Sequence, residues 1–156
     1  MGEKTGPNPT DRGKRGAKRS VLTDGRGTPI GVAIAGANRN DHLLMRDTLD
    51  GMGVERPGPT RRRKQHLCLD KGYDYADPRR LAAECGFTLH LRTRGEEAEA
   101  KRHRNGKARR WVVEASHSWT NRFRDLLIRW CKKPENYLAL IHFAFGTIAW
   151  RQCLPG

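Results

Sequence analysis

Two acidic residues stand where divalent-metal chemistry could be built. Asp70 closes the apolar run His66-Leu67-Cys68-Leu69 and is followed by Lys71-Gly72, a pattern that predicts a buried strand ending in a turn. A carboxylate just past the C-terminal end of a sheet strand lies where α/β folds usually bind ligands. Asp74 is close by, so the choice of Asp70 rests on position rather than residue type. Glu114 opens the most strongly periodic stretch, in which Arg110, Ser118, Asn121 and Asp125 fall near its face while Trp119 and Phe123 point elsewhere. Each acid has a plainer account: Asp before Lys-Gly is a common turn former, and a first-turn Glu suits the helix dipole. Taken together they suit a hard cation, Mg²⁺ or Mn²⁺. Such ions bind one or two carboxylates with water and phosphate oxygens, and in pairs they clamp both oxygens of an in-line phosphoryl displacement. Asp70 and Glu114 are therefore the expected metal ligands.

The charge balance points to a polyanionic partner. Lys and Arg number 31 against 17 Asp and Glu, a net charge of +14, which repels itself in a compact fold unless a polyanion relieves it. The clusters Arg61, Arg62, Arg63, Lys64 and Lys101, Arg102, Arg104, Lys107, Arg109 are the expected phosphate contacts, sequence-independent and sensitive to salt. They sit among Gly, Pro and Asn without the amphipathic stripe of a membrane-surface helix, and Tyr137–Trp150 is too short an apolar run to span a bilayer. Cys68, Cys85, Cys131 and Cys153 lack the close spacing of a zinc or redox motif, so they read as reduced thiols of a cytoplasmic protein. The six histidines read as isolated packing or surface residues.

The elements that must position these residues follow from pattern. Residues 1–19 are basic and Gly/Pro-rich, and predict an unordered arm. Two apolar runs flanking Asp24-Gly25-Arg26-Gly27 predict a hairpin over 20–35. A helix is predicted from Asn40 or Asp41 to Gly51 or Gly53, then the strand ending at Asp70. Asp77-Pro78 marks a helix start, with Asp77 as its cap and Gly86 as its close, and Phe87–Leu91 forms the next strand. Residues 92–109 read as a charged surface loop. Val112, Ala115, Trp119, Phe123, Leu126, Leu127 and Trp130 predict one long helix whose apolar stripe packs in the core. Pro134 breaks it before a last, core-buried helix from Glu135 to Trp150. Strands alternating with helices predict an α/β fold.

Three segments together resemble the DDE transposases of small bacterial insertion sequences, closest to the group encoded in two overlapping frames: Gly2 through Lys14, Leu69-Asp70-Lys71-Gly72-Tyr73-Asp74, and Trp111-Val112-Val113-Glu114 with the following His117 to Arg124. The resemblance implies a ribonuclease-H-like mixed sheet flanked by helices over residues 20–150, with 151–156 a tail. It assigns the second catalytic Asp to Asp70, the catalytic Glu to Glu114, and a signature Arg to Arg110. Some relatives carry a Tyr and a Lys where this chain has Lys107 and Asn121. The first catalytic Asp of the family, on the first and central strand, has no counterpart here. The implied activity is metal-dependent cleavage of element ends and transfer to target DNA, by a homo-oligomer associated with the nucleoid. Without the first Asp and its strand, the chain is expected to be inactive and of low stability. The alternative is a non-catalytic DNA-binding remnant, or an inhibitor of the full enzyme.

Overall fold

The computed structural model describes residues 3–91 and 111–154. After a two-residue strand β1 (Gly6–Pro7), strands β2 (Arg15–Thr23) and β3 (Pro29–Gly36) form the expected antiparallel hairpin, with Ala17 opposite Gly36 and Val21 opposite Val32. The Asp24 carboxylate holds the turn by accepting from the N–H groups of Arg26 and Thr28, at 2.9 and 2.8 Å. Gly27 completes it at φ 89°, a conformation that other residues resist. The arm expected through Arg19 is corrected here, because β2 begins at Arg15. Its ladder to β3 satisfies the backbone, and its long side chains find partners: Lys18 Nζ lies 3.0 Å from Asp41, and Arg19 bonds Asn121. Apolar content was the wrong criterion for a strand whose basic stems cover the sheet.

Alternation along β3 gives the hairpin two faces. Val32 and Ile34 pack with Leu126 and with Tyr137, Ile141, Ala144 and Phe145, the last four forming the inner side of the last helix, α5 (Pro134–Cys153). Gly31, Ala33 and Ala35 leave room on the other face for α1 (Met45–Asp50), which follows a short 3-10 turn at Asp41–Leu44. The approach is close: a Cβ on Gly51 would stand 2.5 Å from the Val32 carbonyl oxygen.

A second sheet pairs β4 (Gln65–Leu69) with β5 (Phe87–Leu91) in parallel, through the crossover helix α2 (Ala76–Glu84). Asp77 sits inside the first turn of α2, with Tyr75 at the cap position, one correction to the expected helix start. Gly86 closes the helix at φ 70°, as expected. Leu67, Leu69, Phe87 and Leu89 face a core shared with Met45, Leu49, Leu81, Ala82 and Leu22 of β2. Among the described residues the two sheets meet through this core and share no strand ladder.

The long helix predicted from Val112 is two helices, α3 (Trp111–Thr120) and α4 (Arg124–Leu127), followed by extended chain to Lys133. Ser116 and Thr120 lie within hydrogen-bond reach of the carbonyls four residues earlier, an arrangement that bends helices. Phe123 then turns extended and packs against the Val32 core. The stripe therefore breaks, leaving Trp130 74% exposed. α5 is likewise half-buried rather than enclosed, since Phe143 is 72% exposed, and it runs through Cys153 into the expected tail. All four cysteines are free thiols.

Candidate active site and nucleic-acid interface

Asp70 lies at the C-terminal end of β4 and is exposed. Its side chain caps a 3-10 turn, Lys71–Tyr73, by accepting from the Lys71 N–H. The turn is anchored to β2 through Tyr73, whose hydroxyl bonds Ser20. The Thr48 hydroxyl lies 2.7 Å from both the buried Ser20 hydroxyl and the Leu44 carbonyl. The Ser20 hydroxyl therefore bridges Thr48 and the Tyr73 phenol. Burial raises the Tyr73 phenol above its usual range, and the charges of Asp41 and Asp70 add to the rise.

Glu114 projects from the exposed side of α3. The opposite side of that helix is fastened to the hairpin turn, where the Ser116 hydroxyl donates to the Gly27 carbonyl. Arg19 of β2 bonds Asn121, just past the helix end, at 3.0 Å. Burial, and then the Arg19 charge, lower the pKa of His117 on α3. Ser20 thus ties the Asp70 turn to one face of β2, while Arg19 ties the Glu114 helix to the other.

Both carboxylates are hard, solvent-facing donors of the kind a divalent ion takes. Among the described residues, however, no three His, Cys, Asp or Glu side chains gather closely enough to hold a metal. The donor set present does not make a metal centre by itself. Arg61, Arg62, Arg63 and Lys64 are exposed and form no ion pair among the described residues. They precede β4, so the strand's length, roughly 17 Å for five residues, separates them from Asp70. Arg110 and the second basic cluster, Lys101, Arg102, Arg104, Lys107 and Arg109, lie outside the described residues. No helix among the described residues is long and apolar enough to cross a membrane.

The family model for the transposase DDE domain matches residues 2–146. A Burkholderia cepacia protein assigned as the transposase for insertion sequence element IS402 is 36% identical over 150 residues, covering 94% of this chain and 69% of that relative. The chain belongs to the DDE transposases. No solved structure matches it. Membership in this family makes DNA the substrate class and a divalent metal the family's usual cofactor, and its mixed α/β content is that of the chain.

Two features of this transposase escaped the sequence. His66 and His90, read as isolated, are paired across β4 and β5, with Nδ1 of one 2.7 Å from Nε2 of the other. Their outward parity was legible, but the parallel register that joins them was not. Trp119 and Phe123, read as core, also line a cleft with Arg122 and Arg151. A guanidinium beside an aromatic at Arg122-Phe123 was the available signal.

Proposed function

We propose that this transposase cuts the ends of its insertion sequence and transfers them to target DNA by metal-dependent phosphoryl transfer, in a ribonuclease-H-like domain over residues 20–150. Asp70 and Glu114 hold Mg²⁺ or Mn²⁺ together with a third carboxylate, and Arg110 supports Glu114. That third carboxylate arrives on a strand inserted between β2 and β4, and without it residues 1–156 bind DNA but do not cleave. The observation that carries this reading is the divided sheet: Leu22 of β2 shares a core with Leu67 and Leu69 of β4, while no ladder joins the strands. A strand there would pair open N–H and C=O groups, each costly to leave unsatisfied when buried. It would also extend the family's sheet in the order its fold requires.

The basic clusters supply sequence-independent phosphate contact, and the working form is a homo-oligomer on nucleoid DNA in the cytoplasm. Phosphoryl transfer asks little covalent chemistry of a protein, so positioning and charge neutralisation carry the catalysis. The test extends the chain with its upstream coding sequence and assays Mg²⁺- and Mn²⁺-dependent cleavage of element ends. Cleavage abolished by Asp70→Ala and by Glu114→Ala is expected; cleavage that survives both removes these residues from the reaction. The divided sheet also favours a second reading, a DNA-binding remnant that interferes with an intact enzyme. Binding without cleavage in the extended chain would select it.

A further inference from the structure

Between the C-terminal end of α3 and the last turns of α5 lies a cleft of about 280 Å³, lined by Trp119, Arg122, Phe123, Ile148, Arg151 and Gln152. Buried Ile148 and half-buried Trp119 and Phe123 form its apolar floor, and exposed Arg122, Arg151 and Gln152 its polar rim. Among the described residues neither arginine forms an ion pair. The floor is fixed by the hairpin turn: a Cβ added to Gly27 would stand 3.4 Å from Trp119 Cζ3, so the ring edge is seated against it. On the rim, the Thr28 hydroxyl donates to the Gln152 side chain and holds the end of α5 to the same turn.

A fixed aromatic surface flanked by two exposed guanidinium groups recognises a flat π-system that carries phosphate. The volume is at the lower edge of small-ligand pockets, which run from about 300 Å³ upward, so it takes one base and excludes a stacked pair. A base inside a duplex cannot present its face to a protein ring, so the occupant is unpaired. Arg122 follows α3 and Arg151 belongs to α5. Two cations on separate elements fit successive phosphates on either side of a base better than the single phosphate of a free nucleotide.

We propose that this cleft holds one unpaired nucleotide of a DNA strand, with its base on Trp119 and Phe123 and its flanking phosphates on Arg122 and Arg151. The assignment rests on the reading of the chain as a DNA-handling protein, and on neither carboxylate.

The test measures binding of the full 156-residue chain to a labelled single-stranded oligonucleotide and to its abasic twin, whose sugar-phosphate backbone is intact. The intact strand is expected to bind about ten-fold more tightly, the scale of one stacked base. Trp119→Leu should abolish that difference while leaving abasic binding unchanged. The exposed double variant Arg122→Gln/Arg151→Gln, which leaves the core untouched, should weaken the intact strand at least as much. Equal affinity for the two strands overturns the proposal, as does an intact-strand affinity that the double variant leaves unchanged. A free deoxynucleoside monophosphate that competes as well as the oligonucleotide overturns the assignment to a strand. Failure to bind any DNA sinks the DNA reading as well, whereas salt-sensitive binding without base preference sinks the cleft alone. Asp70→Ala and Glu114→Ala should leave the preference intact.

Discussion

Arg19 and Ser20 are neighbours in β2 whose side chains leave opposite faces of the sheet, Arg19 to Asn121 beyond α3 and Ser20 to Thr48 on α1 and Tyr73 beside Asp70. One strand therefore sets the position of both elements that carry the candidate acids. Strand alternation is the cause, because consecutive residues cannot share a face. Changes at either residue should disturb one acid's support and spare the other's.

Ser20→Ala removes the middle of the chain from Tyr73 through Thr48 to Leu44. It removes the hydrogen bond to the half-buried Tyr73 hydroxyl, at a cost of about 0.5–1.5 kcal/mol. Urea denaturation near neutral pH should show the loss as a lower midpoint at unchanged slope. The raised phenol adds a pH signature. Unfolded chains lose the Tyr73 proton near pH 10 and the folded one only above that, so stability falls as pH rises past 10. Tyr73→Phe should remove this share of the alkaline loss; an unaltered alkaline limb would show that the phenol is not held as described.

His117 gives the opposite sign. Its folded pKa lies below 6.5, first through burial and then through Arg19, so the unfolded chain takes up the proton earlier as pH falls. Its contribution is present above pH 6.5 and is lost as pH drops through the folded value. His117→Gln should flatten the stability profile between about pH 7 and 5 relative to the parent. Nuclear magnetic resonance titration of Arg19→Gln should show the His117 pKa recovering by the smaller part of its shift, because burial is the larger cause. Full recovery would reverse that order.

The hairpin, α1, α2 and both parallel strands were legible because their signals are local: Asp24–Gly27 between apolar runs, Gly51 and Gly86 at helix ends, and alternation along Leu67 and Leu89. What failed depended on partners. Arg15–Arg19 reads as an arm until β3 supplies a ladder and Asp41 and Asn121 receive its cations. The apolar stripe from Val112 to Trp130 keeps helical spacing, but the break at Asn121–Phe123 comes from where Phe123 must pack. At the site, the place of Asp70 at a strand end was readable from one segment. The support it receives from Ser20, fifty residues earlier by number, was not. The His66–His90 contact required knowing that β4 and β5 run parallel and adjacent.

Two glycines in or beside helices should respond in opposite directions to alanine. At Gly51 the new Cβ would meet the Val32 carbonyl oxygen at 2.5 Å and the Asp47 carbonyl oxygen at 3.0 Å, both backbone atoms that cannot swing away. Gly51→Ala must therefore push α1 off β3, costing on the order of 1–3 kcal/mol or more. Gly146 lies inside α5 with open space where a Cβ would go, so Gly146→Ala should add about 0.5–1 kcal/mol through helix propensity. Thermal melts of the pair side by side decide this. A tolerated Gly51→Ala would mean that α1 is less closely seated on the hairpin than the structure has it.

The Arg61–Lys64 cluster offers a quantitative check on DNA contact, because its four side chains are exposed and their removal leaves the core alone. Each phosphate neutralised contributes roughly 0.9 to the slope of log affinity against log salt on duplex DNA. If all four touch phosphate, replacing them with Gln should lower the slope's magnitude by roughly 3.6 and weaken random-sequence duplexes uniformly. A smaller change counts the contacts made, and no change would place the duplex elsewhere. Because β4 separates this cluster from Asp70 by its whole length, contact at both ends requires DNA to run along that strand. Protection of Arg61–Lys64 from chemical modification by duplexes, but not by strands shorter than five nucleotides, would locate that path.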